Sequence, residues 1–373
     1  DADPGEDASL EAGADLRYGI TSNLSLDVSY KTDFAQVEGD QEQTNLAQFS
    51  LFFPEKREFF LEGANVFEFG ESAGNRSRPT LLFYSRKIGL DEEHIVPILL
   101  GAKLTGKQGR TSIGALNVLT DPTSYLDDDG FAIDVPRTNY SVLRLKRDLM
   151  SRSNVGAILV NKQADSSQRP GANYNRAGGI DFSYSPTSEL NIQGFAARSW
   201  DAELGNDNAA FLYLDYRGTK YWARVKFLDV GDQFEPGVGF VNRRGDLDGL
   251  RRYYFFGRWR PRPDVRNIRQ MSIGPEIEVF TDRSNKIKYW TGEWSWFTDF
   301  NSGDSWRTQV KHTYDIVDES FAPSDRHPSA AIPAGTYEFT TFSMGPRPSS
   351  KRKLVPELSF KAGTYYTGHR YTF

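Results

Sequence analysis

Apolar and polar side chains alternate along most of this chain. Leu24, Leu26, Val28 and Tyr30 alternate with Asn23, Ser25, Asp27 and Ser29, the period of two that puts one face of a β-strand in an apolar setting and the other in a polar one. Strands are predicted in the same way over Ile98 to Thr105, Thr111 to Leu119, Tyr140 to Asp148, Asn154 to Asn161, Gly179 to Ser185, Asn191 to Arg198, Phe211 to Arg217 and Lys220 to Phe227. They continue over Leu250 to Trp259, Met271 to Phe280, Lys288 to Thr298, Trp306 to Ile316, Thr336 to Ser343 and Pro356 to Tyr366, with Ala47 to Phe53 and Leu81 to Arg86 as two further expected strands. Short turns such as Gly106-Lys107-Gln108-Gly109 and Ser185-Pro186-Thr187-Ser188 contrast with the long polar loops Asp121 to Thr138, Gln163 to Asn175 and Asp201 to Asn208. Short turns on one rim and long loops on the other are the plan of an outer-membrane barrel. In Lys220 to Phe227 the polar side carries Lys220, Arg224 and Lys226, a face suited to a water-filled or plugged lumen. The expected fold is therefore all-β: an antiparallel transmembrane β-barrel of the outer-membrane type, or the greater part of one. Residues 1–13 form an acidic lead-in and 14–373 the barrel region. A soluble β-sandwich or propeller remains the alternative.

One stretch breaks the alternation. Phe52 to Phe69, FFPEKREFFLEGANVFEF, sets six phenylalanines around Glu55, Lys56, Arg57, Glu58 and Glu62. Charges removed from water cost several kcal/mol per ion unless partnered, so this stretch predicts an ion-paired plug or rim brace inside the β structure. Its candidate residues are Pro54, Glu55, Lys56, Arg57, Phe59, Phe60, Glu62 and Gly63, with Arg86 and Lys103, beside Lys87 and Lys107, as positive partners from neighbouring segments. Paired carboxylates are also what general acid–base chemistry needs. Without a nearby histidine or an activated nucleophile, the structural role is the stronger reading, and no catalytic residue is assigned.

Composition narrows the setting. With 26 Phe, 18 Tyr and 7 Trp against 25% charged residues, the chain suits a surface that is aromatic on one face and polar on the other. All seven tryptophans lie between Trp200 and Trp306, and such rings favour membrane interfaces, where the ring is apolar and its N–H stays wet. Apolar runs such as Ile95 to Leu100 fall far short of the roughly 18 residues of a spanning helix, so any crossing of a membrane is made by strands. A net charge of −5 argues against nucleic-acid binding, which needs a basic footprint. The absence of cysteine excludes thiolate chemistry and disulfides, and the four histidines are not at ligand spacing. Asp127-Asp128-Asp129-Gly130 lacks the later glutamate of a calcium-binding loop, so no metal or cofactor is expected. The arginines from Arg243 to Arg269 could meet lipopolysaccharide phosphates or line an anion-attracting lumen.

The run from Asn23 to Gly70, NLSLDVSYKTDFAQVEGDQEQTNLAQFSLFFPEKREFFLEGANVFEFG, resembles a bacterial family of unknown function. FYSRKIGL (83–90), GAKLTGKQGRTSIGALNV (101–118) and FEPGVGFVNRRGD (234–246) carry the same resemblance. Its members are known as carbohydrate-binding family nine domain-containing proteins, in which a sugar-binding-like β domain precedes an outer-membrane barrel region. The resemblance covers the barrel region, is specific in the first third and is loose after about Asn242. It departs at Lys31-Thr32-Asp33-Phe34 and at Glu58, where proline is expected. The chain starts about ten residues before its first strand, as a mature form or a piece of a longer protein, so no carbohydrate-binding residue carries over. The resemblance implies an outer-membrane protein of a Gram-negative cell. With the strand pattern it implies a conduit or surface-binding component, with membrane lipid and lipopolysaccharide, a glycan and a periplasmic or surface protein as partners. An outer-membrane enzyme using Glu55 and Glu62 on glycan or lipid, and a soluble carbohydrate-binding β-protein, are the alternatives.

Overall fold

The computed structural model describes residues 13–31, 50–70, 80–91, 94–127, 129–167, 173–243, 248–265, 267–322, 331–352, 355–356 and 358–373. Its frame is one 17-stranded antiparallel sheet. In chain order the strands are β1 (Ala14–Thr21), β2 (Leu24–Tyr30), β3 (Ile98–Gln108), β4 (Thr111–Thr120), β5 (Thr138–Met150), β6 (Ser153–Ala164), β7 (Tyr174–Tyr184), β8 (Leu190–Asp201) and β9 (Gly205–Arg217). The rest are β10 (Tyr221–Val230), β11 (Leu250–Trp259), β12 (Ile268–Thr281), β13 (Ile287–Phe300), β14 (Ser305–Val317), β15 (Gly335–Arg347), β16 (Phe360–Tyr365) and β17 (Gly368–Thr372). Each strand pairs with the next, a pure meander. Among the described residues the sheet does not close, with β1 and β17 as its edges and no pairing between them.

Directly opposed residues of an antiparallel pair project to the same side, so register carries each face from strand to strand. Tyr213 of β9 faces Lys226, Lys226 faces Tyr254, and Tyr254 faces Glu278. The result inverts the usual distribution of polarity. Arg144 is 1% exposed while Leu145, the next residue, is 44% exposed. The exposed face continues through Leu159, Ile180, Leu212, Val225, Phe255, Ile277, Trp294 and Val310, whereas the opposite face buries Asp27, Lys103, Asp181, Asp215, Lys226, Arg252 and Arg258. That polar face is covered from β1 to β9 by an inner layer built from 50–70, 80–91, 94–97 and 231–243, and the apolar core lies between the two. It includes Phe60, Phe67, Phe69, Leu82, Val118, Ile158 and Phe195, each worth about 1.5–3 kcal/mol when fully buried.

Most predicted strands fall inside observed ones, Leu250–Trp259 with the same bounds. The expected strand Ala47 to Phe53 is not found: 47–49 lie outside the described residues and Ser50 to Phe53 has no strand. Leu81 to Arg86 is likewise not one strand, since Thr80–Leu81 pairs briefly with Phe240–Val241 and Ser85–Lys87 is a 3₁₀ turn. Backbone groups there are taken by the inner layer, Tyr84 N–H donating to the Val238 carbonyl at 2.7 Å and Arg57 Nη2 to the Ser85 carbonyl at 2.8 Å. The loop Asp121 to Thr138 holds a hairpin of Thr123–Leu126 with Ala132–Val135. Pro356 to Tyr366 contains β16 only from Phe360, and β17 follows it as a separate strand.

Candidate functional site

Segment 50–70 crosses the polar face of the sheet, and each part has an identifiable anchor. At its start the Ser50 N–H donates to the Arg243 carbonyl at 2.9 Å, and Asn242 Nδ2 donates to the Ser50 carbonyl at 2.8 Å. Phe52 packs against the rings of Tyr84 and Phe240, with centroids 5.1 and 5.2 Å away. The Tyr84 hydroxyl donates to the Phe53 carbonyl. Arg86 stacks over Phe53 at 5.6 Å and donates weakly to the Pro54 carbonyl at 3.4 Å.

Glu55 and Arg57 form the turn that follows. Glu55 accepts from Arg57 Nε at 2.9 Å and Nη2 at 2.8 Å, from Ser85 Oγ at 2.7 Å, and from the N–H groups of Lys56 and Arg57 at 3.0 Å. Arg57 itself is buried. Its Nη1 donates to the Ile88 carbonyl at 2.7 Å, and its guanidinium lies 4.4 Å from the centre of the Phe60 ring. Lys56 is exposed. Arg57 thus ties segment 55–60 to 85–88 by charge-assisted hydrogen bonds, the stronger kind.

A single helical turn, α1 (Glu58–Leu61), comes next, with Glu58 in its first turn, where a negative charge suits the helix N-terminus. Lys103 of β3 closes the other end. Its Nζ donates to the carbonyls of Phe59 at 2.5 Å and Glu62 at 2.9 Å, carbonyls that a helix end leaves without internal partners. Lys103 is 2% exposed, and its carboxylate partner is Asp27 of β2 at 3.5 Å. Glu62 pairs instead with Arg17 of β1 at 2.6 Å. The chain turns at Gly63, where φ is +67° and a Cβ would stand 2.9 Å from Thr105 Oγ1. Only glycine meets both conditions without strain.

Phe59, Phe67 and Phe69 then rest on the sheet at three strand glycines. A Cβ on Gly101 would come within 3.0 Å of Phe59, one on Gly114 within 2.9 Å of Phe67, and one on Gly179 within 2.7 Å of Phe69. The end of the segment is held by an ion pair: Arg144 of β5 forks onto Asp181 of β7 at 2.6 and 2.8 Å. Asp181 also accepts the Gly70 N–H at 3.2 Å, and the Arg144 guanidinium lies 5.3 Å from the Phe69 ring centre. Arg144, Asp181, Asp27 and the strand glycines are absent from the residues singled out by sequence reasoning. The glycines did leave a signal, because glycine inside a strand marks close approach of another backbone or side chain. Of the expected cationic partners, Lys87 meets Glu235 at 3.6 Å and Lys107 meets Asp148 at 2.6 Å, so neither joins the segment's carboxylates.

The chemistry available is that of a fastening. Burial raises the pKa of the Glu55 carboxyl, but the Arg57 guanidinium, the Ser85 hydroxyl and the Arg57 N–H outweigh it, leaving the pKa below the ordinary value of 4.5. A depressed folded-state pKa gives stability that is present above the unfolded pKa and lost as pH falls through the folded one. Glu55→Gln is therefore expected to lower the thermal midpoint at pH 7, with the deficit shrinking as pH falls below about 4.5, the unfolded reference value. Scanning calorimetry of both forms from pH 7 to pH 3 checks this, and a deficit independent of pH would refute it. Among the described residues, no group of three or more His, Asp or Glu side chains gathers to hold a metal ion.

The sequence model of a family described as a domain of unknown function, DUF5916, matches residues 2–226. That span includes the whole of segment 50–70 and the strands β1 to β9 that receive it. No curated protein and no solved structure matches the chain.

Proposed function

Because this chain belongs to the DUF5916 family, whose function is unknown, its role has to be drawn from its own residues, and we propose an outer-membrane β-protein of a Gram-negative cell. In this reading the strands cross the bilayer, the sheet is the wall of a barrel, and segment 50–70 is the plug or brace of a conduit or surface-binding component for glycans or other polymers. One observation carries it: strand after strand turns large apolar side chains outward, exposed, and charged ones inward, buried. Water on the outer face would give that pattern no reward, whereas hydrocarbon outside and a polar lumen inside would. Lipid and lipopolysaccharide are then the partners of the outer face. The relation to carbohydrate-binding family nine domain-containing proteins, and through it a glycan ligand, belongs to the same proposal.

The enzymatic alternative is the weaker one, since both carboxylates it needs are committed, Glu55 to Arg57 and Ser85 and Glu62 to Arg17. The direct test is conductance in a planar bilayer, the intact chain compared with a variant lacking residues 59–69. Discrete steps that grow on removal of the segment are the expected result. Failure of both forms to insert would overturn the proposal.

A further inference from the structure

A cavity of about 320 Å3 opens on the polar face of β8 to β11, near the rim that carries the short turns, beyond the end of the plug. Register builds its wall in successive rows. Gln193, Tyr213, Lys226 and Tyr254 form one row, and Asn191, Asp215, Arg224 and Phe256 form the next. Its charged lining is uneven, with Arg152, Arg217, Arg224 and Lys226 against only Glu189 and Asp215.

Asp215 is shared by too many donors to neutralise them. It accepts from Arg217 Nε at 2.7 Å, from Trp222 Nε1 at 2.9 Å and from Arg224 Nε at 3.3 Å. Both arginines reach it through Nε, and Arg217 also bonds the Tyr213 side chain, so the Nη donors of Arg224 are the ones left for a ligand. The Arg224 guanidinium is also held flat, 4.2 Å from the Trp222 ring centre and 5.1 Å from that of Phe256, so little of its freedom remains to be lost on binding. Lys226, 7% exposed, lies over the rings of Tyr213 and Tyr254 at 5.2 and 5.5 Å. On the adjoining strand Glu278 pairs with Arg252 at 2.7 Å, and Glu276 accepts from the Tyr254 hydroxyl at 3.1 Å and lies 3.9 Å from Arg258.

We infer that this cavity binds a small solute bearing a carboxylate or phosphate, with the Arg224 fork as the recognising group and the Arg217 charge beside it. A fixed guanidinium matches two anionic oxygens at once, and the volume admits a molecule of roughly monosaccharide size. The inference rests on the proposed polar lumen, because the rim must be open to solvent. It does not require conduction, so binding is measured on the purified full chain in detergent and not in a bilayer.

Titration with glucuronate, glucose 6-phosphate and glucose, followed by calorimetry, separates charge from shape. Binding of either anion without binding of glucose is expected, and whichever anion binds more tightly identifies the group. Arg224→Gln should weaken that binding about tenfold or more, and raised salt should weaken it in the intact chain. Should Arg224→Gln not fold, Arg217→Gln decides, since that side chain is 60% exposed. Equal binding of glucose, no binding of any of the three, or undiminished binding by the folded variant would overturn the inference. Conductance without binding would leave the conduit standing and remove only the cavity's role.

Discussion

Replacing Arg144 by methionine is expected to destabilise the chain by about 3–5 kcal/mol, the usual cost of removing one partner of a buried ion pair. Arg144 is 1% exposed and Asp181 9%, so the substitution leaves a carboxylate in a place where water cannot replace the lost fork. Two further contacts go with it, the stacking of Arg144 on Phe69 and the fixed position of the carboxylate that holds the Gly70 N–H. Arg144→Lys should rescue little, because an ammonium cannot reproduce the two parallel bonds at 2.6 and 2.8 Å. The double change Arg144→Met with Asp181→Leu should recover most of the loss, since an apolar pair of similar volume often replaces a buried ion pair without cost. Urea unfolding followed by tryptophan fluorescence measures all three. A single variant within about 0.5 kcal/mol of the parent, the range of an ordinary surface substitution, would mean that this pair does not hold segment 50–70.

The pair also marks where sequence reasoning reaches its limit. The strands were legible because a period of two is a local property, and Leu250–Trp259 or Tyr140 to Asp148 declare themselves residue by residue. The charged segment around Glu55 was legible for the same reason, as six phenylalanines and six charges in 18 residues have few places to go. Its partners were not, because they are set by which strands lie side by side. Lys103 and Asp27 are neighbours through the β2–β3 register, and Asp181 reaches Arg144 from two strands away across Gly156. Even the type of contact eluded the pattern: Lys103 serves the carbonyls of Phe59 in α1 and of Glu62 just after it, where a carboxylate of the segment was the expected partner. Ala47 to Phe53 and Leu81 to Arg86 misled for a related reason. Their apolar spacing resembles that of strands, yet the apolar side chains of Ser50–Phe53 and Leu81–Arg86 are used in a second layer, where loops and side chains satisfy the backbone.

Leu159→Arg is expected to cost about 2–4 kcal/mol if the outer face meets hydrocarbon, the penalty for an arginine near the middle of a lipid-facing strand. Leu159 is 59% exposed, near the middle of β6, opposed by Leu143 on one side and Gly178 on the other. Its neighbours in sequence, Ile158 and Val160, are buried against the inner layer, so an arginine at 159 does not disturb the core. Were this face wet, an exposed leucine exchanged for arginine would change stability by no more than about 0.5 kcal/mol. Leu126→Arg is the matched control, because Leu126 is 64% exposed but lies in the Thr123–Leu126 hairpin outside the main sheet. Urea titration of the chain folded into lipid vesicles compares the two. A large penalty at 159 with almost none at 126 fits a bilayer around the sheet, since exposure is nearly equal and only the surrounding medium differs. Equal and small effects at both positions would place water on that face, and the inward charges would then need an explanation other than a lumen.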